Sequence, residues 1–325
     1  MATKPLGLLA RLARAAPLML LVGASPPALP SPVEAEAETA EELAFRRDGM
    51  SRMTVEVGVA GRGPYRFLVD TGAERTSVSR ELARELSLAP GQRVMLHSMS
   101  EAAAIETVLV PTLTVNKRSV KSINAPAFLR EHIGADGILG VDSLKSQRVL
   151  FDFNRQTMAI SDSRERERSW SDGDEIIVRA RSRFGYLILA DARVDGRKVW
   201  VIIDTGAQVS VGNEALRRTL RRAKELKPTK PIVLTSVTGG KIEADYTIVK
   251  RMEIGGVRFS GLPVAFVDAQ PFRKLGLIDQ PALLLGMESL RTFNRVSIDF
   301  AKREVRFVFP DRDGPRLGGL PRRSD

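Results

Sequence analysis

The sequence predicts an all-β protein made of two duplicated halves with a few short helices. Three observations predict this. The chain carries an ordered internal repeat, its apolar residues alternate between turn signals, and its helix-periodic stretches are few and short.

The repeat comes first because it sets the architecture. Tyr65-Arg-Phe-Leu-Val-Asp70-Thr71-Gly72-Ala73 recurs as Val199-Trp-Val-Ile-Ile-Asp204-Thr205-Gly206-Ala207. Val94-Met-Leu-His-Ser-Met-Ser100 recurs as Ile232-Val-Leu-Thr-Ser-Val-Thr238. Ile138-Leu139-Gly140-Val-Asp-Ser-Leu144 recurs as Leu284-Leu285-Gly286-Met-Glu-Ser-Leu290, and Arg148-Val-Leu-Phe-Asp152-Phe as Arg295-Val-Ser-Ile-Asp299-Phe. Four blocks in one order at similar spacing point to duplication rather than chance.

The strands follow from period-two alternation. Residues 53–59 alternate, pass a glycine-rich turn at 61–63 and return over 65–69. Residues 187–194 run into Asp195-Gly196, a hairpin dipeptide, and return over 198–203. The helical exceptions are short: Ser79 caps 80–86 and Asn213 caps 214–226.

Composition narrows the chemistry. The chain has 325 residues, 43% of them hydrophobic, enough for two lobes with real cores. It has no cysteine and only two histidines, His97 and His132. Disulfides, thiolate metal sites and cysteine nucleophiles are excluded, and a histidine-based metal site or Ser-His-Asp triad has almost no candidates. No metal site and no cofactor is expected, and any chemistry falls to carboxylates. The net charge of +11 reads as a basic, soluble surface. With aromatics at 6% there is little to stack on bases, so nucleic acid is not an expected partner.

The segments outside the repeat are read as follows. Lys4, Arg11 and Arg14 precede the short apolar run 17–24 and small residues, the order of an export signal spanning 1–24. The expected location is periplasmic or secreted, with no integral span once the signal is cleaved. Residues 25–45 are an Ala/Glu/Pro-rich flexible spacer, 46–160 the first lobe, 161–175 an exposed charged linker, 176–310 the second lobe, and 311–325 a disordered tail.

Asp70 and Asp204 each end an apolar strand, which sets a carboxylate at the lip of a core, and the following glycine permits a tight turn. Two such loops on equivalent halves can meet across a pseudo-twofold axis. Carboxylates brought that close cannot both ionise comfortably, so they share a proton, one acting as base and the other as acid.

These residues resemble the active-site loops of the pepsin/retropepsin aspartic proteases, a family in which such proton sharing is well known. The Leu139-Gly140 and Leu285-Gly286 pairs resemble the element that family places beneath each loop. The resemblance covers residues 50–310. It implies the acid-protease fold, two retropepsin-like β-barrel lobes, and an endopeptidase acting on polypeptides. Asp70 and Asp204 would form the catalytic dyad. Thr71 and Thr205 would lock the loops together, and Gly72 and Gly206 would admit backbone amides to the carboxylates. His97, Ser98 and Met99 would belong to one flap, and Ser236, Val237, Thr238, Gly239 and Gly240 to the other. Both loops lie on one chain, so activity requires no dimer.

Two departures qualify the resemblance. Ala73 and Ala207 follow the glycines as in retroviral enzymes, where pepsins carry Ser or Thr; without that hydroxyl the dyad is expected to be less acidic. No tyrosine lies in the first flap and only the second has a glycine tip, so closure is expected to be asymmetric or looser. Asp152 and Asp299 are read as structural turn residues, and Asp142 and Glu288 as helix-start acids. Two other functions compete: a noncatalytic peptide-binding module on the same fold, and a glycosidase, which the shortage of aromatics disfavours.

Overall fold

The computed structural model describes residues 41–44, 46–47, 53–115, 118–165 and 175–309. The expected export signal, most of the spacer, residues 166–174 of the linker and the tail lie outside the described residues.

Within them each half closes into a six-stranded barrel. The first runs Met53–Val59, Arg62–Val69, Gly137–Leu139, Ser77–Ser79, Arg118–Phe128 and Thr107–Val115, the last pairing back onto the first. The second runs Tyr186–Val194, Arg197–Ile203, Ala282–Leu285, Ser210–Gly212, Val257–Phe266 and Lys241–Ile254, and closes the same way. In both, the strand leading to the aspartate pairs in parallel with the Leu-Gly strand, Val69 opposite Leu139 and Ile203 opposite Leu285. All four of those side chains are buried, and burial of such rows drives closure of the barrel.

Turn chemistry sets the hairpins. Asp195 and Gly196 both have positive φ, 45° and 76°, the conformation that matches the strand twist. In the first half the equivalent turn is Ala60-Gly61, at φ 51° and 74°, so the return strand starts at Arg62 and not beyond residues 61–63. The helix Arg80–Glu85 is capped by Ser79, whose Oγ accepts the Leu82 N–H at 3.0 Å. Asn213 Oδ1 likewise accepts the Leu216 N–H at 2.9 Å, but that helix stops at Arg222, four residues short of 226. Lys224 turns left-handed at φ 56°, and the Glu225 N–H closes back on the Leu220 carbonyl.

The final strands of the two halves do not stay within their lobes. Gln147–Asp152 pairs antiparallel with Arg295–Asp299, and Thr157–Asp162, Glu41–Ala44, Glu304–Val308 and Glu175–Arg183 complete a six-stranded sheet shared by both lobes. Regular structure therefore runs past the expected segment edges. The last spacer residues pair as a strand, and Ser161 and Asp162 belong to a strand rather than to an exposed linker. Ser163 is buried as well, its hydroxyl donating to Asp299 Oδ1 at 2.5 Å. Asp152 Oδ1 accepts the Arg155 N–H, as a turn residue does, while its Oδ2 accepts from Arg295 Nε at 2.7 Å across the lobes.

Candidate active site

The two Asp-Thr-Gly-Ala loops meet at the junction of the barrels. Gly72 N–H donates to Asp70 Oδ1 at 2.8 Å, and Gly206 N–H to Asp204 Oδ1 at 3.0 Å. Each glycine also faces the other lobe's aspartate. A Cβ on Gly72 would fall 2.5 Å from Asp204 Oδ1, and one on Gly206 would fall on the Asp70 carboxyl group. Glycine is required at both positions for this approach, since side-chain atoms do not reach such separations. Ala207 N–H adds a second bond to Asp204 Oδ1 at 3.1 Å, whereas Ala73 N–H donates to the Asp70 backbone carbonyl.

The threonines cross beneath the carboxylates in a two-fold pattern. Thr71 N–H donates to Thr205 Oγ1 at 3.0 Å, and Thr205 N–H to Thr71 Oγ1 at 3.1 Å. Thr71 Oγ1 then donates to the Ile203 carbonyl and Thr205 Oγ1 to the Val69 carbonyl, at 2.9 and 2.8 Å. Both threonines are buried. Thr205→Val strips the partners from Thr71 N–H and the Val69 carbonyl, and is expected to destabilise the chain by about 2–4 kcal/mol. Thr205→Ser should fall close to the parent, with urea unfolding of both variants as the check.

The Leu-Gly elements hold the loops from below. Asp70 N–H donates to the Leu139 carbonyl and Asp204 N–H to the Leu285 carbonyl, both at 3.1 Å. A Cβ on Gly140 would lie 2.5 Å from the Arg75 carbonyl carbon, and one on Gly286 2.7 Å from that of Val209. Thr76 and Ser210 finish the support, accepting N–H bonds from Gly140 and Gly286 and pairing with Ser143 and Ser289. Asp142 does more than begin a helix: its Oδ1 accepts from both Thr76 N–H and Thr76 Oγ1. Glu288 is exposed.

Both expected flaps are hairpins. Val94–His97 pairs with Ala102–Ile105, with Ser98 and Met99 at the turn, and Lys230–Thr235 pairs with the start of Lys241–Ile254, with 236–240 at the turn. The flaps cross. Met99 packs against the second lobe's apolar cluster, and its carbonyl accepts the Gln270 N–H at 3.3 Å. Val237 packs against the first lobe's cluster of Leu68, Phe128, Ile133 and Ile138. Gly239, at φ 86°, lies against the His132 ring, and Gly240 against Ser100 of the other flap. Each flap thus reaches the opposite lobe, through different contacts: Met99 through its carbonyl and apolar packing, the second flap through Val237 and the Gly239 approach to His132.

Beneath the flaps lies a cavity of about 590 Å³, lined by both aspartates, both flaps, and apolar side chains including Phe128, Ile138 and Val211. Burial first, then the adjacent Asp70 carboxylate, push Asp204 from an ordinary 3.8 up to about 7, against the opposing pull of the Ala207 and Gly206 amides. Sequence reasoning did not place Glu74, His132 or Tyr186 at the site, yet all three line this cavity. Glu74 directly follows the first loop and could have been suspected from that alone. It is paired across the lobes with Lys274. His97 also lines the cavity, so both histidines of the chain do. Among the described residues no group of three or more His, Asp or Glu could hold a metal ion, and no helix is long and apolar enough to cross a membrane.

Comparison with known families matches each half once. Residues 190–289 match the Aspartyl protease family model, and residues 55–146 match the gag-polyprotein putative aspartyl protease model. A comparison with curated proteins gave no match. The chain belongs to the retropepsin-like aspartic proteases, in duplicated single-chain form, and its function is of the protease type.

Proposed function

We propose that the chain is an aspartic-type endopeptidase in which Asp70 and Asp204 activate water against a peptide bond. The observation that carries this reading is the crossed approach of each loop glycine to the other lobe's aspartate, which sets a buried Asp204 beside a half-buried Asp70. Such a pair holds one proton over a wide pH range. The ionised member takes a proton from water as its oxygen attacks the substrate carbonyl carbon. The protonated member donates to the carbonyl oxygen, and protons then pass to the leaving nitrogen as the C–N bond breaks. The polypeptide lies extended between the flaps and the dyad, and one chain suffices because it supplies both aspartates.

The test is incubation of the purified chain with a peptide library across pH, with and without a statine-type inhibitor. Inhibitable cleavage within the peptides is the expected result. Since the chemistry needs the shared proton, kcat/KM should fall as pH rises through about 7, where Asp204 ionises. Peptide binding without cleavage at any pH would favour the noncatalytic module instead.

A further inference from the structure

Tyr186 is a polar residue set in an apolar part of the cavity wall on the second lobe's side. It begins the strand Tyr186–Val194 and is only 4% exposed. Its ring belongs to an apolar cluster with Ile188, Ile202, Val211 and Phe272. Yet it lines the cavity together with Val211 and Pro271, and among the described residues its hydroxyl has no hydrogen-bond partner. A buried phenol normally finds an acceptor. One whose hydroxyl opens on a ligand cavity can find it on the ligand.

The surroundings restrict what that acceptor can be. Burial, then Glu74, Asp204 and Asp70, raise the phenol well above its usual range, so it stays protonated and acts as a donor. Glu74 is offset by Lys274, but the aspartate pair keeps one net negative charge, which disfavours an anionic acceptor beside the phenol. A neutral carbonyl meets no such penalty. Met99 of the crossing flap, an unbranched side chain, packs along this cluster, and an unbranched substrate side chain can lie along the same wall. Glutamine has methionine's length and ends in a neutral carbonyl.

We propose that Tyr186 makes the second lobe's side of the cleft select a substrate residue with a glutamine side chain, the phenol O–H donating to the side-chain carbonyl. The inference rests on the cleft being a peptide site, and it adds a polar determinant to the apolar cluster around Tyr186. Methionine has nearly the same shape but accepts only weakly, and glutamate carries the disfavoured charge.

The experiment uses the full chain and three peptides that differ only in Gln, Met or Glu on either side of one bond. Each is supplied both as a cleavable peptide and as a reduced-amide mimic. Binding of the mimics is measured by calorimetry, and kcat/KM on the cleavable set. The expected result is glutamine over methionine by about tenfold, glutamate weakest, and a Gln/Met ratio near one or inverted in Tyr186→Phe. A melting curve verifies that this variant folds; if it does not, the order of the three peptides on the parent chain decides. Equal binding of Gln and Met peptides, or a ratio unchanged in Tyr186→Phe, overturns the proposal. If no peptide is cleaved but the glutamine preference in binding persists, the endopeptidase reading fails and the assignment of Tyr186 stands. If no mimic binds at all, the assignment falls too.

Discussion

Asp204→Asn is expected to lower kcat/KM by about 10³-fold or more on any peptide the chain cleaves, while making the folded chain more stable at neutral pH. The activity loss follows from removing one of the two groups that exchange the proton; Asp70→Asn should match it. The stability gain follows from linkage. Asp204 titrates near 7 in the folded chain against 3.8 for an ordinary aspartate, because burial and Asp70 oppose its charge. Between those values the folded state binds more protons than the unfolded state, so stability contributed by protonated Asp204 is full below about pH 4 and is lost as pH rises through about 7. An asparagine carries no charge at either end of that range. The variant should therefore exceed the parent by about 1–3 kcal/mol at pH 8 and differ little at pH 4. Thermal melts at the two pH values, run beside the peptide assay, check both halves of the expectation. Loss of activity with a fall in stability at pH 8 would point to a disrupted fold rather than a missing proton carrier.

What the residues revealed beforehand, and what they did not, divides along the range of the interactions. The aspartate loops, the Leu-Gly elements and the flaps were legible because duplication wrote each of them twice. A tetrapeptide such as Asp204-Thr205-Gly206-Ala207 after an apolar run carries its local geometry with it. The caps at Ser79 and Asn213 were legible for the same reason, since a capping bond spans three residues. The end of the second helix was not, because the left-handed turn at Lys224 has no glycine to announce it. Tyr186 was invisible as a site residue: it starts a strand of ordinary apolar character, and only closure of the barrel carries it to the dyad. The Glu74–Lys274 pair and the seating of Met99 on the opposite lobe depend likewise on how two distant halves dock. The shared sheet lies between these cases. Its strands were visible as a repeated Arg-Val-x-x-Asp block, but their pairing with each other was not.

That pairing gives the second large expectation, which concerns stability alone. In the antiparallel register Arg148 lies opposite Asp299 and Asp152 opposite Arg295, so the repeated block is complementary to its own copy. Arg148 and Asp299 are almost sealed, with side chains 5% and 4% exposed and Nε to Oδ2 at 3.4 Å. Asp299 also accepts from Ser163 Oγ and from the Lys302 N–H. Asp299→Ala leaves the Arg148 guanidinium buried beside an empty acceptor, although its Nη2 keeps the Ser163 and Glu165 carbonyls. The expected loss is about 3–5 kcal/mol, since the substitution removes one member of a buried ion pair together with the bonds Asp299 accepts from Ser163 and Lys302. It should appear in urea unfolding as a lower midpoint at an unchanged slope. Asp152→Ala should lose less, because Arg295 is 15% exposed and can turn toward water. Joining Asp299→Leu to Arg148→Met removes both charges and should restore most of the loss, because a matched apolar pair avoids the desolvation that the ions incur. If the double substitution is as unstable as Asp299→Ala, the strand is held by its other bonds to Asp299, and the ion pair is not what fastens the two lobes.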